Sequence, residues 1–187
     1  MHILGITAGT GVDLPHWERV LASGLDAFMI REPALEAGEL LAAARWVRLT
    51  APDVRLWVNG RLDVALATPC GLHAPEAYPQ VPPGLASLSR PIHDPDQVPD
   101  RSRAQQLILS PIFAVPGKAP AWGPARLHAI LDALPPLDCR LLAMGGITPA
   151  TLPQLQHPRL HGVALIRALW QSPDPAETIA QLRAAWS

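Results

Sequence analysis

Lysine is nearly absent from this chain. Lys118 is the only one, and arginine carries almost all of the positive charge. With 15 Lys plus Arg against 16 Asp plus Glu, the formal net charge is -1. No basic run stands out, which argues against a nucleic-acid partner. Apolar stretches approaching the ~20 residues of a membrane-spanning helix are also missing, so no membrane partner is expected. The first residues run straight into a strand-like His2-Ile3-Leu4-Gly5-Ile6-Thr7, without the charged, apolar and cleavage regions of a signal peptide. A cytoplasmic location is the expectation. Cysteine is scarce: Cys70 and Cys139 stand far apart with no metal-ligand spacing and read as two reduced, buried thiols. No Gly-rich dinucleotide fingerprint follows the first strand-like run.

What is present is enough for one domain over residues 1–187. The hydrophobic fraction is 49%, and a chain of this length buries well over half of its unfolded surface. The 22 prolines fall mainly between apolar runs and punctuate them. Strands are expected at His2–Thr7, Asp26–Arg31, Val54–Asn59, Cys70–His73, Leu85–Ser89, Gln106–Ser110, Cys139–Met144 and His161–Ile166. Runs such as Leu141-Leu142-Ala143-Met144 lack polar alternation, as strands buried on both faces do. Between them, Leu35–Ala51 carries an apolar stripe at Leu40, Leu41, Ala44 and Val47, and Pro124–Leu134 is a second helix. Thr148-Pro149 and Asp174-Pro175-Ala176-Glu177 read as helix starts, the second with a capping-box glutamate. Ala74–Gly84 is too proline-rich for a full helix, and His93–Arg103 has room for a short one. Strands alternating with helices, without a dinucleotide fingerprint, point to a slightly shortened (β/α)8 TIM barrel.

In a barrel of this kind chemistry sits at the strand C-termini. These are Arg31, Asn59, His73, Ser89, the Ser110–Lys118 loop, Gly145-Gly146 and Ile166-Arg167. Gly145-Gly146 is the sharpest local signal, because two glycines after a strand let backbone amides approach a phosphate. A short extra helix can begin at Ile166-Arg167-Ala168. Together Gly145, Gly146, Ile166 and Arg167 form the expected phosphate cradle. An ordinary turn beside a surface arginine would leave the same trace.

Several segments, in order, resemble the thiamine-phosphate synthase and thiazole tautomerase family. They are Met29-Ile30-Arg31-Glu32, Val58-Asn59-Gly60-Arg61-Leu62-Asp63, Gly71-Leu72-His73, Leu88-Ser89, Ser110-Pro111-Ile112-Phe113 through Lys118, Ala143-Met144-Gly145-Gly146-Ile147 and Gly162-Val163-Ala164-Leu165-Ile166. The resemblance implies a TIM barrel in thiamine biosynthesis that binds a thiazole phosphate. It also implies where the chain departs from the synthase branch. A magnesium-ligating aspartate would stand at Gly60, and a second shortly after His73, where the sequence reads Ala74-Pro75-Glu76. The glutamine and lysine that help hold a diphosphate correspond to Met29 and Pro33.

The departures favour the tautomerase branch, which moves a proton on a thiazole carboxylate phosphate without cofactor or metal. Its catalytic histidine would stand at Pro111. His73 is the replacement expected here, ahead of Glu32 and Glu76, because imidazole titrates near neutral pH. Arg31 would pair with the ring carboxylate. Asn59 and Ser89 would orient the ring, and Lys118 would close over it. His2, His16, His93, His128, His157 and His161 show no ligand spacing. A non-catalytic binder of a phosphorylated metabolite is the alternative, and a synthase with a rebuilt metal site the more distant one. The partner expected is a phosphorylated thiazole-type small molecule; a homodimer stays open.

Overall fold

Strands form where the apolar runs are. The computed structural model describes residues 1–78, 81, 85, 87–101, 103–117 and 120–186. It contains β1 (His2–Ile6), β2 (Ala27–Ile30), β3 (Arg55–Asn59), β4 (Gly71–His73), β5 (Leu88–Ile92), β6 (Gln106–Leu109), β7 (Arg140–Met144) and β8 (Gly162–Leu165). All pairings are parallel, and β8 returns to β1 through the register His2↔Gly162 to Gly5↔Leu165, closing a barrel in chain order. Every residue of β2, β6 and β8 is buried. One face meets helices and the other the lumen, hence the missing alternation.

The helices are α1 (Leu14–Leu21), α2 (Ala37–Thr50), α3 (Leu62–Ala67), α4 (Val98–Arg101), α5 (Gly123–Ala133), α6 (Arg167–Trp170) and α7 (Pro175–Ala185). In α2 the capping box is Glu36 with Glu39, and the buried stripe is Leu40, Ala43, Ala44 and Val47. Leu41, expected on that stripe, is half-buried. The Asp174 side chain caps the Glu177 amide at 3.0 Å, while Glu177 Oε1 accepts from Gln181 rather than reaching back. No described helix is long and apolar enough to cross a membrane.

Two expectations shift. β5 spans Leu88–Ile92 rather than Leu85–Ser89, so Ser89 lies near its start and His93 stands just past its end. After β7 the expected helix is only a 3-10 turn at Leu152–Leu155. Pro153 removes an amide donor from that segment, and the Thr148 and Thr151 hydroxyls satisfy local amides instead. Of the segment 74–84, described residues 74–78 form a turn.

The core has two layers. The outer one packs Trp17, Phe28, Leu40, Leu107, Leu141, Leu155, Ile179 and Leu182 between sheet and helices. The lumen holds Leu4, Ile6, Ala27, Met29, Trp57, Ile108, Leu142 and Ala164. Both cysteines are free; Cys70 is buried and Cys139 half-buried.

Candidate active site

A cavity of about 830 Å³ opens at the C-terminal mouth of the barrel, on its β5–β8 side. Gly145, Gly146, Ile166 and Arg167 all line it. The two glycines have φ of 108° and 64°. The strand-six loop presses against them: Ile112 N donates to Met144 O at 2.9 Å and Phe113 N to Gly145 O at 3.0 Å. A Cβ on Gly146 would sit 2.7 Å from Phe113 Cβ. The pair is therefore needed for loop packing as well as for any close approach of a ligand. Across from it α6 begins at Arg167, and the first amides of a helix have no partner within it. Trp170 Nε1 donates to the Ile6 carbonyl and ties α6 to β1.

Ser110, Pro111 and Val115 form the middle of the cavity, and Glu76 and His93 its other flank. His93 Nδ1 lies 3.0 Å from the Ser110 carbonyl oxygen and 3.3 Å from its hydroxyl. Gln97 ties this flank together: its Oε1 accepts from His93 N at 3.0 Å and its Nε2 donates to Glu76 Oε1. Arg101 also reaches Glu76, at 3.6 Å. Beyond Arg167 the cavity runs outward along Gln171, Ser172, Thr178 and Gln181. Sequence reasoning named none of these four. Gln171 and Ser172 follow α6, and Thr178 and Gln181 lie on α7, so none of them carries a strand-end signal.

Of the other described residues singled out in the sequence, Arg31, Glu32, Asn59, His73 and Ser89 do not line this cavity. Arg31 follows β2, with its amide held by Thr7 Oγ1 at 2.9 Å and its guanidinium beside Gly9. Glu32 is buried, and its carboxylate accepts from the amides of Gly9 at 3.1 Å and Gly11 at 2.7 Å. It staples the loop after β1. Asn59 ends β3, half-buried. His73 and Ser89 are buried side by side, Nδ1 to Oγ at 2.9 Å, and Gln106 Nε2 donates to the same hydroxyl at 3.2 Å. Burial, with Arg90 and Arg31 nearby, pushes the His73 pKa down to about 3. The expectation that His73 faces a ligand as a neutral-pH shuttle meets a buried imidazole committed to Ser89. Lys118 lies outside the described residues. Trp122 is buried in the outer core, with its amide bonded to Pro111 O.

The family model described as thiamine monophosphate synthase matches residues 6–169. The chain belongs to that family. A thiamine-phosphate synthase from Moorella thermoacetica is 30% identical, with 95% of this chain and 91% of the relative covered. One from Vibrio campbellii is 28% identical over 84% of this chain and 82% of the relative. Among solved structures, a thiamine phosphate pyrophosphorylase from Pyrococcus furiosus superposes with a TM-score of 0.84 at 18% identity, covering 99% of this chain and 95% of its own. A 3-hexulose-6-phosphate synthase shares the fold at a TM-score of 0.69 and 17% identity, covering 100% of both chains.

Synthases of the thiamine monophosphate synthase family are expected to hold magnesium on aspartates at the positions of Gly60 and the β4 loop. The residues present do not suit it. Gly60 sits at φ 70°, a backbone conformation that aspartate adopts at a cost. Glu76 is occupied by Gln97 and Arg101. Among the described residues no group of three or more His, Cys, Asp or Glu side chains is placed to hold a metal. Met29, at the position of the diphosphate-binding glutamine, is packed in the apolar lumen.

Proposed function

We propose that this chain is an isomerase of a phosphorylated thiazole carboxylate within thiamine biosynthesis, moving a proton on the ring without a metal step. The observation that carries this reading is the make-up of the cavity. One continuous space runs from Gly145, Gly146, Ile166 and Arg167 to Ser110, Pro111, Glu76 and His93. That suits one phosphate with an attached ring. By the resemblance, the positions that would grip a diphosphate hold Met29 and Pro33, and a magnesium-ligand position holds Gly60. The ligand's phosphate lies against the amides of Gly146 and of the first turn of α6, with the Arg167 guanidinium adding charge-assisted bonding. Arg31 follows β2 and Asn59 ends β3, both at the C-terminal end of the barrel but outside the cavity lining, and would meet a ring carboxylate only from a ligand that reaches across the mouth.

Purified protein with a thiazole carboxylate phosphate, followed by NMR, is expected to show isomerisation that a chelator leaves unchanged. Pyrimidine diphosphate plus thiazole phosphate and magnesium is expected to yield no sustained thiamine phosphate. The relatives' names favour a synthase as the second reading, and sustained magnesium-dependent coupling would replace the first with it. Tight binding of the thiazole phosphate with neither reaction would make the protein a binder.

A further inference from the structure

The imidazole absent from the strand-six loop has a counterpart on the neighbouring strand. By the resemblance, the histidine of the tautomerase branch would stand at Pro111, which lines the cavity. His93 directly follows Ile92, the last residue of β5, and lines the same cavity. Its Nδ1 sits 3.0 Å from the carbonyl oxygen of Ser110, the residue next to Pro111. A carbonyl can only accept, so Nδ1 carries the proton and donates it, and the neutral ring keeps its lone pair on Nε2. A histidine oriented through one nitrogen by a fixed acceptor, with the other left toward a ligand, is the usual arrangement of a general base. The backbone beneath it is fixed too, because Gln97 Oε1 accepts from the amides of His93 at 3.0 Å and Asp94 at 3.3 Å. His73 is likewise bonded through Nδ1, to Ser89, but it is buried and does not line this cavity.

The geometry points to His93 as the group that transfers the proton, delivered from β5 to the place beside the vacated strand-six position. This assignment rests on the isomerase reading above. Nε2 takes a proton from a carbon of the ring system. The C–H electron pair moves into the conjugated ring, and the imidazolium returns a proton to a different atom of the same molecule. Nothing is oxidised or reduced, and the histidine ends as it began.

The test compares His93→Ala with His93→Gln in the isomerisation assay, with binding of the thiazole phosphate measured by calorimetry. Glutamine can still donate to the Ser110 carbonyl but cannot carry a proton. Both variants are expected to lose about 10²–10⁴-fold in kcat while affinity stays within a few-fold. A wild-type rate in either variant, or recovery of the rate in His93→Gln alone, overturns the assignment and leaves the isomerase reading standing. A wild-type protein that does not isomerise the compound overturns both.

Discussion

The two sides of the barrel mouth differ in what they have kept. On the β7–β8 side, Gly145, Gly146, Ile166 and Arg167 gather on one cavity, and the strand-six loop packs so closely on the glycines that no side chain fits there. On the β2–β4 side, the polar residues turn inward to one another: Glu32 to the Gly9 and Gly11 amides, and His73 to Ser89. The first side opens on the cavity, and on the second these polar groups are taken up by contacts within the chain.

The largest expected effect comes from breaking the ligand-facing side. Gly146→Glu adds a Cβ that would stand 2.7 Å from Phe113 Cβ and puts a negative charge where the proposed phosphate would sit. Calorimetry with a thiazole phosphate should show binding abolished. Undiminished affinity would place the anion elsewhere.

The fold-facing side should show itself in acid. The His73 pKa is near 3 in the folded protein, against about 6.5 for a free imidazole. Between these values the unfolded chain takes up the proton and the folded one does not. The stabilisation is therefore whole above about pH 6.5 and is lost as the pH falls, by several kcal/mol on approaching pH ~3. His2, lowered to about 4, acts in the same direction. Urea unfolding across this range should give a shallower acid loss for His73→Gln than for wild type. An identical slope would mean that His73 is not protected as described.

A smaller effect is expected at Glu32. Glu32→Ala frees two loop amides and should cost about 1.5–3 kcal/mol in urea unfolding, with thiazole phosphate affinity little changed. A large loss of affinity at unchanged stability would move Glu32 into the site. Smallest is Gly60→Asp, which returns a single carboxylate at φ 70°. It should cost about 1 kcal/mol and leave magnesium-dependent coupling undetectable. Turnover in that variant would show the diphosphate side to be one residue from function.

Much of this was legible in the residues. Unbroken apolar runs located the strands, because a strand covered on both faces has no polar alternation to hide it. The double glycine after β7 marked one wall of the cavity. The miss at β5 has a definite cause. Prolines mostly punctuate the apolar runs of this chain, whereas in the barrel Pro91 pairs in register with Ile108 inside β5. The strand end therefore lies three residues further on, at Ile92, and His93 rather than Ser89 lines the cavity. The cavity's outward arm was not legible at all, since it depends on how α7 lies against the β8 loop.

Among the described residues β4 is the shortest of the strands, and there it meets β5 through two residue pairs in register, Leu72↔Leu88 and His73↔Ser89. A closed ring is no stronger than its narrowest ladder, so this seam is where the barrel should first breathe. At the mouth the seam is spanned by the contact between Gln97 and Glu76, which acts as a latch across it. Amide protons of Leu72 and Ala74, bonded across the seam to Ser87 and Ser89, should exchange with solvent ahead of those in β6 and β7. The wall that carries Glu76 and His93 would loosen well before the phosphate end does.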